Sequence, residues 1–229
     1  MTCMHVLRIT SVLLVLSSDI ALAQQDASAL ADGLFAAPHE GGARRWVVES
    51  PDGVALLVAP GTGETVGDRI AQHAVVTNFG CAQASGAFWC EVRPLHGGPR
   101  GYALADALGP TEGPDGIIAR GLNDTDKRAR KKRFDATAEV PCAQEQGEAL
   151  NPCPIGIARS SGGDATAAVT FRNGFSRYLF FLHGEFISAS ATMSGAGRDT
   201  DWELRGGTHY IRADDQRFEI PNALLFGGE

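Results

Sequence analysis

The chain has 229 residues, 44% of them hydrophobic, with 28 glycines and 11 prolines, a balance that fits a turn-rich β protein better than a helical one. Its formal net charge is −7, and the export signal read below argues against a nucleic-acid partner for its one basic run. The length suits two small domains or one of medium size.

Met1–Arg8 carries His5 and Arg8, and Ile9–Leu16 is apolar apart from Thr10 and Ser11. Ala21-Leu22-Ala23 follows, with small residues at both recognition positions of a cleavage site. Residues 1–23 therefore read as a signal peptide, with a mature chain starting at Gln24. The apolar stretch is shorter than the ~20 residues a bilayer span needs, and Asp19 interrupts it, so no transmembrane segment is expected after cleavage. Export implies a periplasmic or secreted protein in an oxidising compartment. There Cys81, Cys90, Cys142 and Cys153 form an even set, and their two local pairs predict disulfides Cys81–Cys90 and Cys142–Cys153. Neither pair has CxxC spacing, so no metal site is expected.

Residues 24–45 read as a lead-in with little pattern. Trp46–Ser50 and Val54–Val58 are β runs separated by the turn residues Pro51-Asp52-Gly53. Val75–Phe79 and Phe88–Val92 form a hairpin around Gln83–Gly86, and Gly101–Leu104 is a last short strand. Strands this short with frequent turns predict a small β-barrel over 46–109. The stretches Leu56-Leu57-Val58, Arg69-Ile70-Ala71, Val75–Cys81, Trp89-Cys90-Glu91-Val92 and Gly101-Tyr102-Ala103 resemble a bacterial Src-homology-three (SH3-type) domain. The arginine usual after Val58 is absent and the Val58-Ala59-Pro60 corner is short. The resemblance implies a binding module for wall peptide, glycan or a protein partner. Phe88, Trp89 and Tyr102 are its candidate ligand residues, offering a stacking groove. The competing reading places Phe79 and Trp89 in the barrel core.

Residues 110–133 read as a linker containing the basic run Lys127, Arg128, Arg130, Lys131, Lys132 and Arg133 in an otherwise acidic protein. The run is either solvated spacer or a docking segment for an anionic surface. Residues 134–229 read as a second, antiparallel β domain, a meander forming a sandwich or barrel. Its strands are Asp164–Phe171, Phe175–Leu182, Glu185–Ala191, Trp202–Arg205, Thr208–Arg212 and Arg217–Ile220. Met193–Thr200 reads as a loop, and Phe175, Tyr178, Phe180, Phe181 and Phe186 as core.

The motifs of serine, phosphate-loop and zinc chemistry are missing: no GxSxG, no GxxxxGK, and His39-Glu40 lacks the second histidine of a zinc-protease helix. No cofactor is expected. The predicted fold class is all-β, an SH3-like barrel followed by an antiparallel β-meander. The predicted function is a non-catalytic envelope protein that binds peptidoglycan or an envelope protein. The alternatives are a wall hydrolase with spatially assembled carboxylates, or a structural or inhibitor subunit.

Overall fold

The computed structural model describes residues 33–192 and 199–227. The signal peptide read at 1–23, the start of the lead-in and most of the Met193–Thr200 loop lie outside the described residues. Within them the protein is all-β, as predicted, and its strands form two antiparallel sheets.

The first sheet has five strands: β1 (Arg45–Val48), β2 (Val75–Ala84), β3 (Ala87–Pro94), β4 (Gly101–Leu104) and β5 (Leu108–Pro110). Their order is β4-β3-β2-β1-β5, so β1 pairs both with β2 and with the last strand. The β2–β3 hairpin turns on Ser85 and Gly86, both at positive φ, as a tight two-residue connection requires. Val54–Val58, expected as a strand, contributes only isolated bridges from Val54 and Leu57. Leu57 exchanges backbone hydrogen bonds with Tyr102 at 2.9 Å. Gly101 permits that approach, because a Cβ there would meet Leu57 O at 2.8 Å and Leu56 Cβ at 2.9 Å.

The core of this unit is built on Trp46, which is fully buried and stacked on Phe35 at 4.6 Å. Phe35 and Leu34 of the expected lead-in pack into this core, and Ala37 is buried. Buried Asn78 ties that segment down, donating to Ala36 O and Ala43 O. The core position that the competing sequence reading gave to Phe79 and Trp89 is therefore taken by Trp46 and Phe35.

The second sheet has eight strands: β6 (Ala136–Ala143), β7 (Asn151–Ser160), β8 (Asp164–Thr170), β9 (Ser176–Leu182), β10 (Glu185–Ala189), β11 (Thr200–Arg205), β12 (Thr208–Ala213) and β13 (Gln216–Pro221). Their order, β10-β9-β8-β7-β6-β13-β12-β11, closes the meander between its first and last strands and makes a nearly closed barrel. Ile155, Ile157, Leu179, Phe181, Phe186, Phe218 and Ile220 fill it. Strand alternation turns Tyr178 and Phe180 away from that interior, against the expectation that both are core, and leaves Phe175 37% exposed. Strands β6 and β7, absent from the sequence reading, contain Pro141, Pro152 and Pro154. β7 pairs with β8 only from Ile155 onward, so its prolines lie where the strand has one neighbour.

The basic run is not extended chain. Thr125–Arg130 forms a short helix, α1, that docks on β7 and β8 with Thr125 and Ala129 buried. Thr125 Oγ1 lies 2.9 Å from Thr166 Oγ1. This docking explains why β8 (DATAAVT) is buried on both faces and made of small residues. A second short helix, α2 (Ala223–Phe226), buries Leu225 in the barrel core. Both disulfides have the predicted pairing, Cys81–Cys90 in the first sheet and Cys142–Cys153 in the second.

Candidate functional site

The outward face of β2, β3 and β4 brings together two of the three predicted ligand residues. Cys90 and Val92 point into the core, so Trp89, Glu91 and Arg93 point out. Glu91 lies opposite Tyr102 in register, and Trp89 opposite Leu104, which makes Trp89 and Tyr102 diagonal neighbours on one face. Both are partly exposed. Phe88, the third predicted residue, has the opposite parity. It packs edge-on against Phe35 at 5.8 Å and belongs to the core layer.

Four residues outside the predicted ligand set, Phe79, Glu91, Arg93 and Arg100, complete the face. A bulge between Asn78 and Gly80 turns Phe79 outward. Arg100 lies over its ring at 3.8 Å and Arg93 at 5.6 Å. Arg100 Nε also donates to Glu91 at 2.5 Å, in a pair open to solvent. The face therefore carries an alternation of ring, carboxylate and guanidinium. The Trp89 Nε1 donor is buried without an acceptor. Such a surface can stack on a flat apolar ring and meet its polar edge with both donors and acceptors.

The basic run is divided by the structure into fixed and free cations. Arg128 is fixed: its guanidinium reaches Asp124 at 3.1 Å, Asp135 at 2.9 Å and the carbonyl of Arg159. Its hydrogen bond to Asp135 holds it above its ordinary pKa despite partial burial. Arg130 pairs with Asp126 at 2.7 Å and covers the Tyr178 ring at 4.7 Å. Lys127, Lys131, Lys132 and Arg133 are exposed and form no ion pair among the described residues.

A second concave surface lies on the outside of the barrel, over β11–β13, and no sequence signal pointed to it. A cleft of about 330 Å³ is lined by Tyr210, Arg212, Arg217, Glu203, Glu219 and Leu150, among others. It adjoins a second cleft, of about 530 Å³, that shares Arg212 and Arg217 and adds Asp214 and Asp215. Strand register assembles these residues from separate hairpins. Glu203, Tyr210 and Glu219 form one cross-strand row, and Asp201, Arg212 and Arg217 the next.

The chain matches no family model, no curated protein and no solved structure. Among the described residues no helix is long and apolar enough to cross a membrane.

Proposed function

We propose that this is an exported, non-catalytic envelope protein whose first unit, an SH3-like barrel, holds peptidoglycan against the face carrying Trp89 and Tyr102. The observation that carries this reading is the adjacency of two partly exposed aromatic rings on one strand pair, flanked by the Glu91–Arg100 pair. Sugar rings and short wall peptides present flat apolar faces edged by hydroxyl and amide groups, and this surface complements both parts. Export is supported by the signal-peptide pattern at 1–23 and by two disulfides, which persist in oxidising compartments such as the periplasm. The small-barrel reading is supported by a first strand that pairs with both the second and the last. The free cations in and just after α1 add a salt-sensitive attraction to anionic envelope surfaces.

The test is co-sedimentation of the mature protein with purified wall sacculi. Binding is expected, with a fall of about tenfold in affinity for Trp89→Ala combined with Tyr102→Ala. Undiminished binding by that double variant overturns the choice of face. Release of soluble wall fragments overturns the non-catalytic reading.

A further inference from the structure

The cleft over β11–β13 has a pattern that the proposed wall-binding face does not use. Tyr210 stands between Glu203 and Glu219 in one cross-strand row. On the Glu203 side the protein supplies its own cation: Arg205 lies over the Tyr210 ring at 4.6 Å and reaches Glu203 at 3.5 Å. On the Glu219 side no cation of the described chain makes an ion pair, and the same holds for Asp201 and Asp215. The two lining arginines offset them only in part: Arg212 feels Asp201 and Asp214 as well as Asp199. Arg212 is held in a bidentate pair by Asp199, at 2.9 and 3.0 Å, and one Arg217 nitrogen donates to the carbonyl of Glu148. Arg217 Nε is buried with no acceptor. Leu150, 38% exposed, adds an apolar wall.

We infer that this cleft binds a basic peptide segment of a protein partner, with one Arg or Lys side chain entering beside Tyr210 on its Glu219 side. The Arg205 contact is the internal precedent for a guanidinium held between this ring and a carboxylate. A long basic side chain also brings an apolar stem for Leu150. The surplus of carboxylates over free cations favours a positively charged partner and repels an anionic one. The site lies on the second barrel, so its occupancy does not depend on wall binding by the first.

The test is two-dimensional amide NMR of the isotope-labelled mature protein, titrated with acetyl-Gly-Arg-Gly-Arg-Gly-amide. Shifts are expected to cluster at Leu150, Tyr210, Arg217 and Glu219. Glu219→Gln and Tyr210→Leu are each expected to weaken binding about fivefold, with spectra that otherwise retain the native dispersion. Glu64→Gln, at an exposed carboxylate of the first unit, is expected to leave binding unchanged. Shifts spread evenly over acidic residues, or equal losses for Glu219→Gln and Glu64→Gln, overturn the site. The same cluster shifting with neutral chitotriose and not with the peptide overturns the ligand class.

Discussion

Arg45 Nη2 donates to Asp164 Oδ1 across the boundary between the two sheets, where Asp164 is wholly buried. The other carboxylate oxygen takes Arg44 Nη1 at 2.6 Å and Asn123 Nδ2 at 3.2 Å. Burial pulls the Arg45 guanidinium below its ordinary pKa against the opposing pull of Asp164, so this carboxylate is what keeps a charge tolerable there. Arg44 extends the junction to Gly121 O, Arg120 O and Ser160 Oγ, each at 2.9 Å. Asp164→Asn leaves two buried arginines without a counter-charge. It is expected to cost about 3–5 kcal/mol in denaturant unfolding. The single transition should also split into two as the sheets uncouple. A loss below about 1 kcal/mol would show that water replaces the carboxylate.

Acid should weaken the fold through two imidazoles. Burial holds His183 and His209 below the ordinary histidine pKa, with Arg45 adding to the effect at His183. His209 Nε2 donates to Asn222 Oδ1 at 2.9 Å, which leaves Nδ1 buried and without a partner. A proton on Nδ1 would have no acceptor. The unfolded chain binds that proton near pH ~6.5, whereas the folded one resists it. Stability is therefore complete above that pH and is lost as pH falls below it. Tm should decline from pH ~7.5 to ~5. His209→Phe keeps a ring beside Phe181 and Trp202 and should remove roughly half of the decline. The carboxylates of Asp135 and Asp199 do not confound this window. Asp135 is lowered because bonds from Arg128 and Arg159 outweigh its burial, and Asp199 because Arg212 bonds it. Their contributions persist until pH falls to about 4.

The two disulfides should differ in what they hold. Cys81 and Cys90 face each other within the long β2–β3 ladder, which extends past them on both sides and is interrupted by the bulge between Asn78 and Gly80. Cys142 lies at the seam that joins the first and last strands of this sheet, where β6 and β13 pair only at Ala143–Arg217 and Cys142–Phe218, while the sheet's free edges are β10 and β11. Replacing Cys142 and Cys153 by Ala should cost about 3 kcal/mol. It should also raise hydrogen exchange in β6 and β13 first. The matching change at Cys81 and Cys90 should leave exchange in its hairpin slow. Equal behaviour of the two variants would mean that the seam does not limit opening of the barrel.

What the sequence made legible was local. The hairpin around Gln83–Gly86 was legible because turn conformation is a property of two or three residues. The cysteine pairing was legible because each pair closes a short loop. The bulge at Phe79 and the prolines of β6 and β7 were not, since both depend on what a neighbouring strand does. The helix over the basic run was hidden for a related reason. It has six residues and no amphipathic repeat, and Thr125 and Ala129 hold it by contacts made with β7 and β8. The row Glu203–Tyr210–Glu219 exists only once three strands are in register.

The basic run offers the sharpest separation of fold from function, because its six cations no longer form one class. Lys127, Lys131, Lys132 and Arg133 project into solvent, whereas Arg128 braces α1 against β7 through Asp135 and the Arg159 carbonyl. Replacing the four free cations by Ser should leave Tm within about 2 °C, as exposed charges contribute little to stability. The same change should abolish adsorption to vesicles containing anionic phospholipid. In the unaltered protein that adsorption should already weaken from low salt to 0.5 M salt, where screening shortens the reach of each charge to about 4 Å. Arg128→Ser should behave in the opposite way. It removes a bonded guanidinium from a partly buried position, so Tm should fall while the free cations still adsorb at low salt. If instead the fourfold variant adsorbs as well as the unaltered protein, the attraction arises elsewhere and the run serves only to dock α1. Titrating salt at fixed vesicle composition decides the matter, because an electrostatic contact through four cations must lose affinity steeply as salt rises, and a contact through the Trp89–Tyr102 face must not.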